Sequence, residues 1–324
     1  MAMDRYKAGG HIAMLSAGIV WGLMSPISKI VFMSGEISGL TLATMRVTGA
    51  AIAFWIASLF VPNEKVPPRD LFLLFIASLL SITFNQSCFV IGLSYTTPID
   101  ATVVATTTPI ITMILAAIVL KEPLTSKKAL GVFMGLSGAL MLILSGAHAH
   151  SNHTAVNSVL GDTLCFIAQC SFSCYLVFFK NFISKYSSIT LMKWMFLFAT
   201  LCVLPFDFKE LTSIPYAELS MPVYAGIAYV VLMGTFFAYL MIPIGQKRLR
   251  PTTMSMYNYT QPVTASLLSI YWGMDNFSLV KAVAIILVFL GVYVVTQSKS
   301  RAQVEAEERA MKAAEAEKSP QKQD

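Results

Sequence analysis

Apolar residues follow one another in runs of about 20 along most of the chain, and a run of that length can cross a bilayer as an α-helix. Short polar segments containing proline, glycine or charge separate the runs. Ten runs are expected to form helices, at residues 12–32, 38–60, 71–93, 98–120, 128–144, 160–179, 189–206, 223–244, 251–272 and 279–297. The pattern therefore predicts an all-α membrane protein with ten transmembrane helices.

The sequence also repeats itself. A displacement of 153 positions brings Pro98 onto Pro251 and Pro109 onto Pro262. A period near half the chain length indicates two related halves, and with five helices in each half the second is inverted relative to the first, as in many secondary transporters. The expected divisions are a cytoplasmic N-terminus at 1–10, a first five-helix repeat at 11–145, an external connecting loop at 146–158, a second five-helix repeat at 159–297 and a charged cytoplasmic tail at 298–324.

Composition agrees with a membrane protein, because 56% of the residues are hydrophobic and only 12% are charged. The net charge of +6 comes from basic residues that are dispersed among short loops, which argues against a nucleic-acid partner. With the N-terminus inside, the basic residues of the predicted cytoplasmic loops are Lys65, Arg69, Lys121, Lys127, Lys128, Lys180, Lys185, Lys247, Arg248 and Arg250. The opposite loops contain only Lys209, with Lys281 at the start of the tenth helix. This bias predicts that both termini are cytoplasmic.

Metal and cofactor chemistry is not indicated. All five cysteines lie inside apolar runs, which predicts packing positions rather than disulfides or ligands. His148, His150 and His153 in the connecting loop are only a weak metal-binding pattern. We therefore expect no bound metal and no cofactor.

Several residues resemble a known group of transporters. Trp21-Gly22 and Lys29 in the first helix, Arg46 in the second, and Glu122-Pro-Leu-Thr followed by a glycine-spaced helix resemble the drug/metabolite transporter superfamily, EamA type. The second half departs from this pattern, because Asp275 replaces the usual glutamate and Phe172-Ser173 stands where the first half has Trp21-Gly22.

The resemblance implies a substrate pathway between the two repeats, lined by helices 1, 3, 4, 6, 8 and 9 and opened alternately to the two sides. Members of the group carry amino acids, other metabolites and toxic compounds. It therefore implies a small-molecule substrate, with export of amino acids or related metabolites across the cell (inner or plasma) membrane as the leading interpretation.

Polar and aromatic residues inside the predicted helices are candidates for the lining of the substrate cavity. They are Trp21, Ser25, Asn85, Gln86, Thr106, Thr107, Gln169, Tyr175, Tyr239, Tyr257, Asn258, Tyr259 and Gln261. Asn85 and Gln86 either hydrogen-bond between helices or face the cavity, because an unsatisfied amide in hydrocarbon is costly. The aromatic side chains could equally pack or face lipid.

Pro109 and Pro262 fall in the middle of their predicted helices, and each removes one backbone donor. Two interpretations remain open. Each proline either produces a static kink that threonine hydroxyls stabilise, or forms a hinge beside the substrate pathway.

Five ionisable residues are candidates for charge pairing or gating: Lys29, Arg46, Asp100, Glu122 and Asp275. Arg46 is expected to pair with Asp100 or Glu36, and Lys29 to reach the outer interface. For Asp100, proton coupling is the alternative. Glu122 and Asp275 either stabilise turns or gate the pathway, and Thr125 and Ser278 beside them are expected to cap the next helices.

The glycine-spaced run at 131–138 permits close helix approach, either within one chain or between two subunits, so monomer and homodimer both remain open. Within the same superfamily, a nucleotide-sugar or sugar-phosphate antiporter is the alternative function, although it would require deep basic residues in the second half. An intramembrane enzyme would require a catalytic pair at membrane depth. No such pair and no phosphate-binding loop occur, so the protein is not expected to be an enzyme, and its expected partners are a small molecule and the lipid bilayer.

Overall fold

A computed structural model describes residues 2–32, 34–35, 37–95, 103–147, 158–271, 278–299, 303–304, 306 and 309–311. These residues contain helices, turns and bends but no β-strand. The first half contains α1 (Ala2–Phe32), α2 (Gly39–Ser58), α3 (Pro68–Ser78, π-helical Leu79–Thr83, Phe84–Tyr95), α4 (Thr108–Val119) and α5 (Ser126–Ala147). The second half contains α6 (Ser158–Phe178), α7 (Ser188–Ser213), α8 (Met221–Ala228, π-helical Tyr229–Phe237, Ala238–Arg248), α9 (Pro251–Ser255, 3₁₀-helical Met256–Tyr259, Thr260–Tyr271) and α10 (Leu279–Thr296).

Seven helices in the described part of the chain are long and apolar enough to cross a membrane, and a shorter apolar stretch covers Val103–Val119. The seven are Gly39–Ser58, Pro68–Phe89, Ser126–Leu144, Val159–Phe178, Ser188–Ser213, Met221–Arg248 and Leu279–Thr296. The protein is therefore a multi-pass membrane protein. That ten helices cross the membrane, with both termini in the cytoplasm, stays a prediction.

Short polar residues determine where several helices begin. Ser38 and Ser187 accept hydrogen bonds from the backbone N–H of Thr41 and Thr190, each at 3.2 Å, and so cap α2 and α7. Thr125 Oγ1 and Ser278 Oγ accept from the backbone N–H groups three residues later, at 3.2 and 3.3 Å. The predicted caps of α5 and α10 are therefore confirmed.

Two predicted boundaries were wrong, and one predicted helix is interrupted. The first helix begins at Ala2 rather than at residue 12, and the seventh continues to Ser213 rather than ending at 206. Both differences arise because hydropathy measures the apolar run, whereas a helix continues through polar turns that lie outside it. The predicted continuous helix at 98–120 is interrupted by a turn at residues 106–107, just before Pro109.

Loops that were predicted to lie on one side meet at one end of the bundle. The backbone N–H of Ser187 donates to both carboxylate oxygens of Glu64, at 2.9 and 3.1 Å, joining the loop before α7 to the loop before α3. Lys180 donates to the carbonyl of Leu249 at 2.6 Å, and Arg250 donates to the carbonyl of Ser298 at 2.9 Å. The head groups of Lys180 and Arg250 thus lie at the C-terminal ends of α8 and α10, where their charge complements the helix dipole.

The last helices of the two halves pack closely against each other. A Cβ added at Gly131 would lie 2.7 Å from the Gly291 carbonyl, and one at Gly138 would lie 2.5 Å from the Ala284 carbonyl. Residue number rises along α5 as it falls along α10, so the two helices run in opposite directions. The displacement of 153 pairs Gly131 with Ala284 and Gly138 with Gly291, and exchanging the halves therefore reproduces the same contact. The partner of this glycine face is a helix of the same chain.

The second helices of the two halves pack in the same antiparallel way on the other flank. Thr41 Oγ1 donates to Asp207 Oδ1 at 3.2 Å near one end, and the rings of Phe54 and Phe196 stack at 5.3 Å further along. Between these two flanks, α1 packs on α8 and α9, while α6 packs on α3 and α4. The six helices that the resemblance assigns to the pathway are thus the central ones.

Candidate substrate site at the centre of the bundle

Two π-helical segments lie at equivalent positions in the two halves. The displacement of 153 carries Leu79–Thr83 of α3 onto residues 232–236, which fall inside Tyr229–Phe237 of α8. A π-helical turn disturbs the usual backbone pairing and presents carbonyls to side chains of other helices, and such turns are frequent at functional sites. No residue pattern in the sequence indicated either segment.

The π-helical segment of α8 binds side chains from α1 and α2. Trp21 Nε1 donates to the Gly234 carbonyl at 2.9 Å. Arg46 Nε donates to Thr235 Oγ1 at 3.1 Å, and that hydroxyl donates to the Val230 carbonyl at 2.8 Å. The turn thereby gathers an indole and a guanidinium on one side of α8.

This gathering point lies halfway along α8. Thr235 is the fifteenth of the 28 residues from Met221 to Arg248. At 1.5 Å per residue it lies about 21 Å from the beginning of the helix. The Arg46 head group, held by Thr235, is therefore at mid-height rather than at either end of the bundle.

Tyr239 connects this point to the first half of the chain. Its hydroxyl accepts a hydrogen bond from Gln86 Nε2 at 3.0 Å, and its ring lies edge-on to those of Trp21 and Phe196, with centroids 5.9 and 5.0 Å apart. Tyr239 is buried, whereas Trp21 and Gln86 are half-buried. The structure therefore brings together three of the candidate lining residues.

Two hydrogen bonds join residues to their own mates in the other half. Gln86 and Tyr239 are 153 positions apart, and so are Thr106 and Tyr259, whose hydroxyl donates to the Thr106 carbonyl at 3.1 Å. A residue can contact its symmetry mate only near the axis that relates the halves. These two contacts therefore mark the local two-fold axis.

The break in α4 explains why the Thr106 carbonyl is free to accept. Pro109 has no N–H, and the N–H of Ile110 donates to Thr107 rather than to Thr106. Thr108 Oγ1 lies 2.8 Å from the Ala105 carbonyl, which Pro109 leaves without its helical donor. The kink thus has the threonine-stabilised form that was predicted as one interpretation, while a hinging role stays a prediction.

The equivalent break in α9 is a 3₁₀ turn at Met256–Tyr259. Thr260 Oγ1 donates to the Tyr257 carbonyl at 2.7 Å just before Pro262. Asn258 and Gln261 on either side of this hydroxyl are half-buried, and neither side chain hydrogen-bonds within the part of the chain that the structure describes. Their assignment to the cavity stays a prediction.

Other candidate residues connect α6 to the first half. Gln169 Oε1 lies 2.8 Å from Thr108 Oγ1, and Asn85 Nδ2 donates to the Ala168 carbonyl at 2.9 Å. Asn85 therefore makes the interhelical hydrogen bond that was one of its two interpretations. Thr107 donates to the Val104 carbonyl at 2.7 Å within its own turn.

Two candidate tyrosines, Tyr175 and Tyr257, make no hydrogen bond to the π-helical segment of α8. Tyr175 is buried in an aromatic stack with Phe172 and Phe179, and within the described residues its hydroxyl has no hydrogen-bond partner. The Tyr257 hydroxyl lies 2.7 Å from His11 Nδ1. Sequence reasoning missed His11, because the residue lies just before the predicted beginning of the first helix at residue 12.

A small enclosed cavity adjoins Gln86 between α2, α3 and α7. Its volume is about 10 Å³, which is room for one water molecule. Its lining includes Thr44, Thr83 and Gln86. Because Thr83 Oγ1 and Gln86 Oε1 are buried without a partner among the described residues, the cavity is polar enough to hold a water.

The structure describes the side chains of only some of the remaining candidates. Glu122 forms an ion pair of 2.6 Å with Lys128 at the α4–α5 turn, which is the turn-stabilising arrangement. The side chains of Ser25 and Lys29, and the residues Asp100, Asp275 and Glu36, lie outside the described part. The predicted pairing of Arg46 with Asp100 or Glu36 therefore stays a prediction.

Sequence reasoning also missed Asp207, because the seventh helix was predicted to end one residue before it. Asp207 lies inside α7, is 2% exposed and accepts from Thr41. Only a prediction that extended the seventh helix beyond residue 206 would have placed Asp207 inside the bundle. The described residues contain no group of three His, Cys, Asp or Glu side chains that could hold a metal ion.

Comparison with known proteins gives matches over nearly the whole chain. The EamA-like transporter family matches it twice, at residues 8–144 and 159–297. The uncharacterized transporter YetK of Bacillus subtilis (strain 168) is 23% identical over 301 residues, covering 91% of this chain and 89% of that protein. The uncharacterized transporter YyaM of the same organism is 22% identical over 284 residues, covering 87% and 92%.

A solved crystal structure aligns with a TM-score of 0.75 and 18% identity, covering 89% of this chain and 96% of that one. At this identity the likeness shows a shared fold. Together with the two family matches, it confirms the resemblance that the motifs of the first half indicated.

Proposed function

The chain belongs to the EamA-like transporter family, and from that premise we propose that it is a secondary transporter of small organic metabolites that works by alternating access. The substrates we propose first are amino acids and related compounds. The protein exports them across the cell (inner or plasma) membrane. The transported molecule binds at the centre of the bundle, beside the π-helical segment of α8.

The observation that carries this proposal is the contact between residues and their own mates, Gln86 with Tyr239 and Thr106 with Tyr259. Groups on the axis between two repeats belong to both repeats. A molecule bound there is exposed to opposite sides in turn when one repeat rocks against the other. The site also lies at mid-height, where such a mechanism requires it.

The character of the site supports a small metabolite. Trp21, Tyr239 and Gln86 supply aromatic faces, a hydroxyl and an amide, and among the described side chains Arg46 supplies the cation. A nucleotide sugar or a sugar phosphate carries several negative charges, which are usually bound by several basic residues. The composition of the site therefore favours a molecule with few charges.

Counterflow in proteoliposomes tests the proposal. Vesicles loaded with one unlabelled compound are diluted into the same labelled compound, using amino acids, their amides, choline, riboflavin and nucleotide sugars. Transient accumulation of label for at least one compound is expected with the protein and not with empty vesicles. Leu130→Ala, at an exposed position on the outer face of α5, is the matched control and is expected to transport like the wild type.

Absence of counterflow for every compound in a correctly folded preparation contradicts the proposal. Orientation is tested separately by reporters fused at Asn152 and at the C-terminus. We expect the first reporter outside and the second in the cytoplasm. A cytoplasmic reporter at Asn152 contradicts the inverted arrangement in the membrane.

A further inference from the structure

We propose that Arg46 binds the carboxylate of the transported molecule, so that the substrates are small monocarboxylates, amino acids among them. The inference rests on the proposed function and deepens it, since it assigns a substrate group to a particular side chain. Three features of Arg46 carry it: how it is held, what it lacks and what stands in its place in the other half.

Arg46 is held in a way that leaves its terminal nitrogens available. Its Nε donates to Thr235 Oγ1 at 3.1 Å, which fixes the plane of the guanidinium. Within the described residues, Nη1 and Nη2 donate to no oxygen and no acidic side chain lies within ion-pair distance. These two nitrogens form the fork that matches the two oxygens of a carboxylate.

The position of Arg46 requires a partner for its charge. The residue lies deep in the bundle and is largely surrounded by protein, although its side chain is partly exposed. A charge at membrane depth is unfavourable unless it is paired or reaches water. Because Thr235 holds the head group at mid-height, an anion that enters the site is the natural partner.

A carboxylate fits this site better than a phosphate. The other cations whose contacts the structure describes around the loop end are already engaged: Lys128 with Glu122, Lys180 with the Leu249 carbonyl and Arg250 with the Ser298 carbonyl. A guanidinium that has no acidic partner among the described residues balances one negative charge. Trp21 and Tyr239 lie beside the same turn and offer aromatic surface to the rest of the molecule.

The mate of Arg46 is apolar. The capping serines Ser38 and Ser187 align α2 with α7 at a displacement of 149, which places Met195 at the position of Arg46. The displacement of 153 places Ile82 at the position of Thr235. Met195 and Ile82 are both fully buried. The cation is therefore present in one half only, and it defines one orientation for an asymmetric molecule.

The test measures transport of matched pairs of compounds that differ only in the carboxylate. Each L-amino acid that shows counterflow is compared with its amide and its decarboxylated amine, in the wild type, Arg46→Gln and Arg46→Lys. We expect the wild type to prefer the acid. Arg46→Gln is expected to raise KM for the acid by about tenfold to a hundredfold, as for loss of a charge-assisted hydrogen bond, and to change KM for the amide little.

Thr235→Val separates carboxylate binding from a structural role. This variant removes the hydrogen-bond acceptor of Arg46 Nε but keeps the cation, so it is expected to affect acid and amide alike. Arg46→Lys is expected to recover part of the preference for the acid, because it restores the charge without the fork.

Two outcomes overturn the inference while leaving the proposed function standing. The first is a wild type that transports amides or amines as well as the acids. The second is an Arg46→Gln variant that lowers transport of acid and amide by the same factor, as is expected of Thr235→Val, since Arg46 would then only join α2 to α8. Absence of counterflow for every compound overturns both the inference and the proposed function.

Discussion

The π-helical segments of α3 and α8 occupy equivalent places in the two halves, yet different side chains surround them. At the α3 segment, Ser171 Oγ donates to the Leu80 carbonyl at 2.8 Å, and the mates of Arg46 and Thr235 are the buried apolar residues Met195 and Ile82. At the α8 segment, an indole donates to the Gly234 carbonyl and a guanidinium donates to Thr235. The unusual winding is thus shared, whereas the aromatic and charged groups belong to one segment.

This difference separates architecture from chemistry. A feature that both halves retain, such as the winding of α3 and α8, belongs to the architecture that the two repeats share. A feature that only one half has, such as Arg46 at the position where the other half has Met195, is not needed for the two-fold architecture. Such a feature has a role of its own. The asymmetric groups around α8 are therefore the best candidates for recognition of an asymmetric substrate.

The largest effect on transport is expected when the two polar residues at the α8 segment are replaced by the apolar residues found at the equivalent positions of the other half. The double variant Arg46→Met with Thr235→Ile copies the residues found at the mates. We expect the protein to fold, because apolar replacements of a buried polar pair are often neutral for stability. Counterflow of acids is expected to fall by about a hundredfold or more. The variant removes the guanidinium that binds the carboxylate and the hydroxyl that holds the guanidinium in place.

Counterflow and thermal unfolding in detergent check this prediction together. Thr235→Ser, which keeps the hydroxyl, is the control and is expected to retain transport. A double variant that folds and transports normally would remove the distinction between the two segments.

The second prediction compares single hydrogen bonds at the two segments. Trp21→Phe and Ser171→Ala each remove the donor to a carbonyl of a π-helical turn. We expect Trp21→Phe to lower kcat/KM for counterflow by about tenfold, in line with about 1.4 kcal/mol of lost interaction. Ser171→Ala is expected to lower the free energy of unfolding by about 1 kcal/mol and to leave kcat/KM of the folded protein unchanged.

Transport rates normalised to folded protein, measured by size-exclusion chromatography, distinguish these outcomes. Equal losses of kcat/KM in the two variants would show that both segments take part in transport.

The third prediction concerns the contacts on the axis. Tyr259→Phe leaves the buried Thr106 carbonyl without its donor and is expected to lower the free energy of unfolding by about 1–3 kcal/mol. Tyr239→Phe leaves Gln86 Nε2 without its acceptor. Combining it with Gln86→Leu is expected to cost less than the sum of the two single variants, because both partners are then removed.

Chemical unfolding of the four proteins in the Gln86–Tyr239 cycle measures this coupling. An additive cycle would mean that the hydrogen bond between the mates contributes nothing to stability.

The smallest effect is expected far from both segments. Glu122→Gln weakens the ion pair with Lys128 while keeping a hydrogen-bond acceptor, so a loss of about 1 kcal/mol in the free energy of unfolding is expected. Transport by the folded protein is expected to remain unchanged. A clear loss of transport without loss of stability would favour the gating role of Glu122 over the turn-stabilising one.

The sequence was sufficient for features that depend on local residue type. The pairing of Pro109 with Pro262 predicted equivalent breaks, and the serine and threonine caps fixed the beginning of α5 and α10. The basic loops predicted which ends of the helices lie together, as the contact of Lys180 with the end of α8 illustrates. Each of these features follows from the chemistry of one or two neighbouring residues.

The parts that could not be predicted depend on contacts between distant segments. The π-helical turn of α8 carries no residue signal, and its carbonyl is satisfied by Trp21, more than 200 positions away. The hydroxyl that accepts from Arg46, that of Thr235, is likewise on another helix, whereas the sequence suggested only Asp100 or Glu36 as a partner. Asp207 was missed because a boundary drawn from hydropathy fell one residue short of it.

The antiparallel contact of α5 with α10 has a consequence for how such a chain could arise. Gly131 meets Gly291 and Gly138 meets Ala284, and exchange of the halves reproduces the pattern. A surface with this property is self-complementary, like the isologous interface of a two-fold dimer. Two separate copies of a single five-helix ancestor, inserted in opposite orientations, would meet through the same glycine face. Joining their genes would then have fixed an assembly that already existed, and freed positions such as Arg46 and Met195 to diverge.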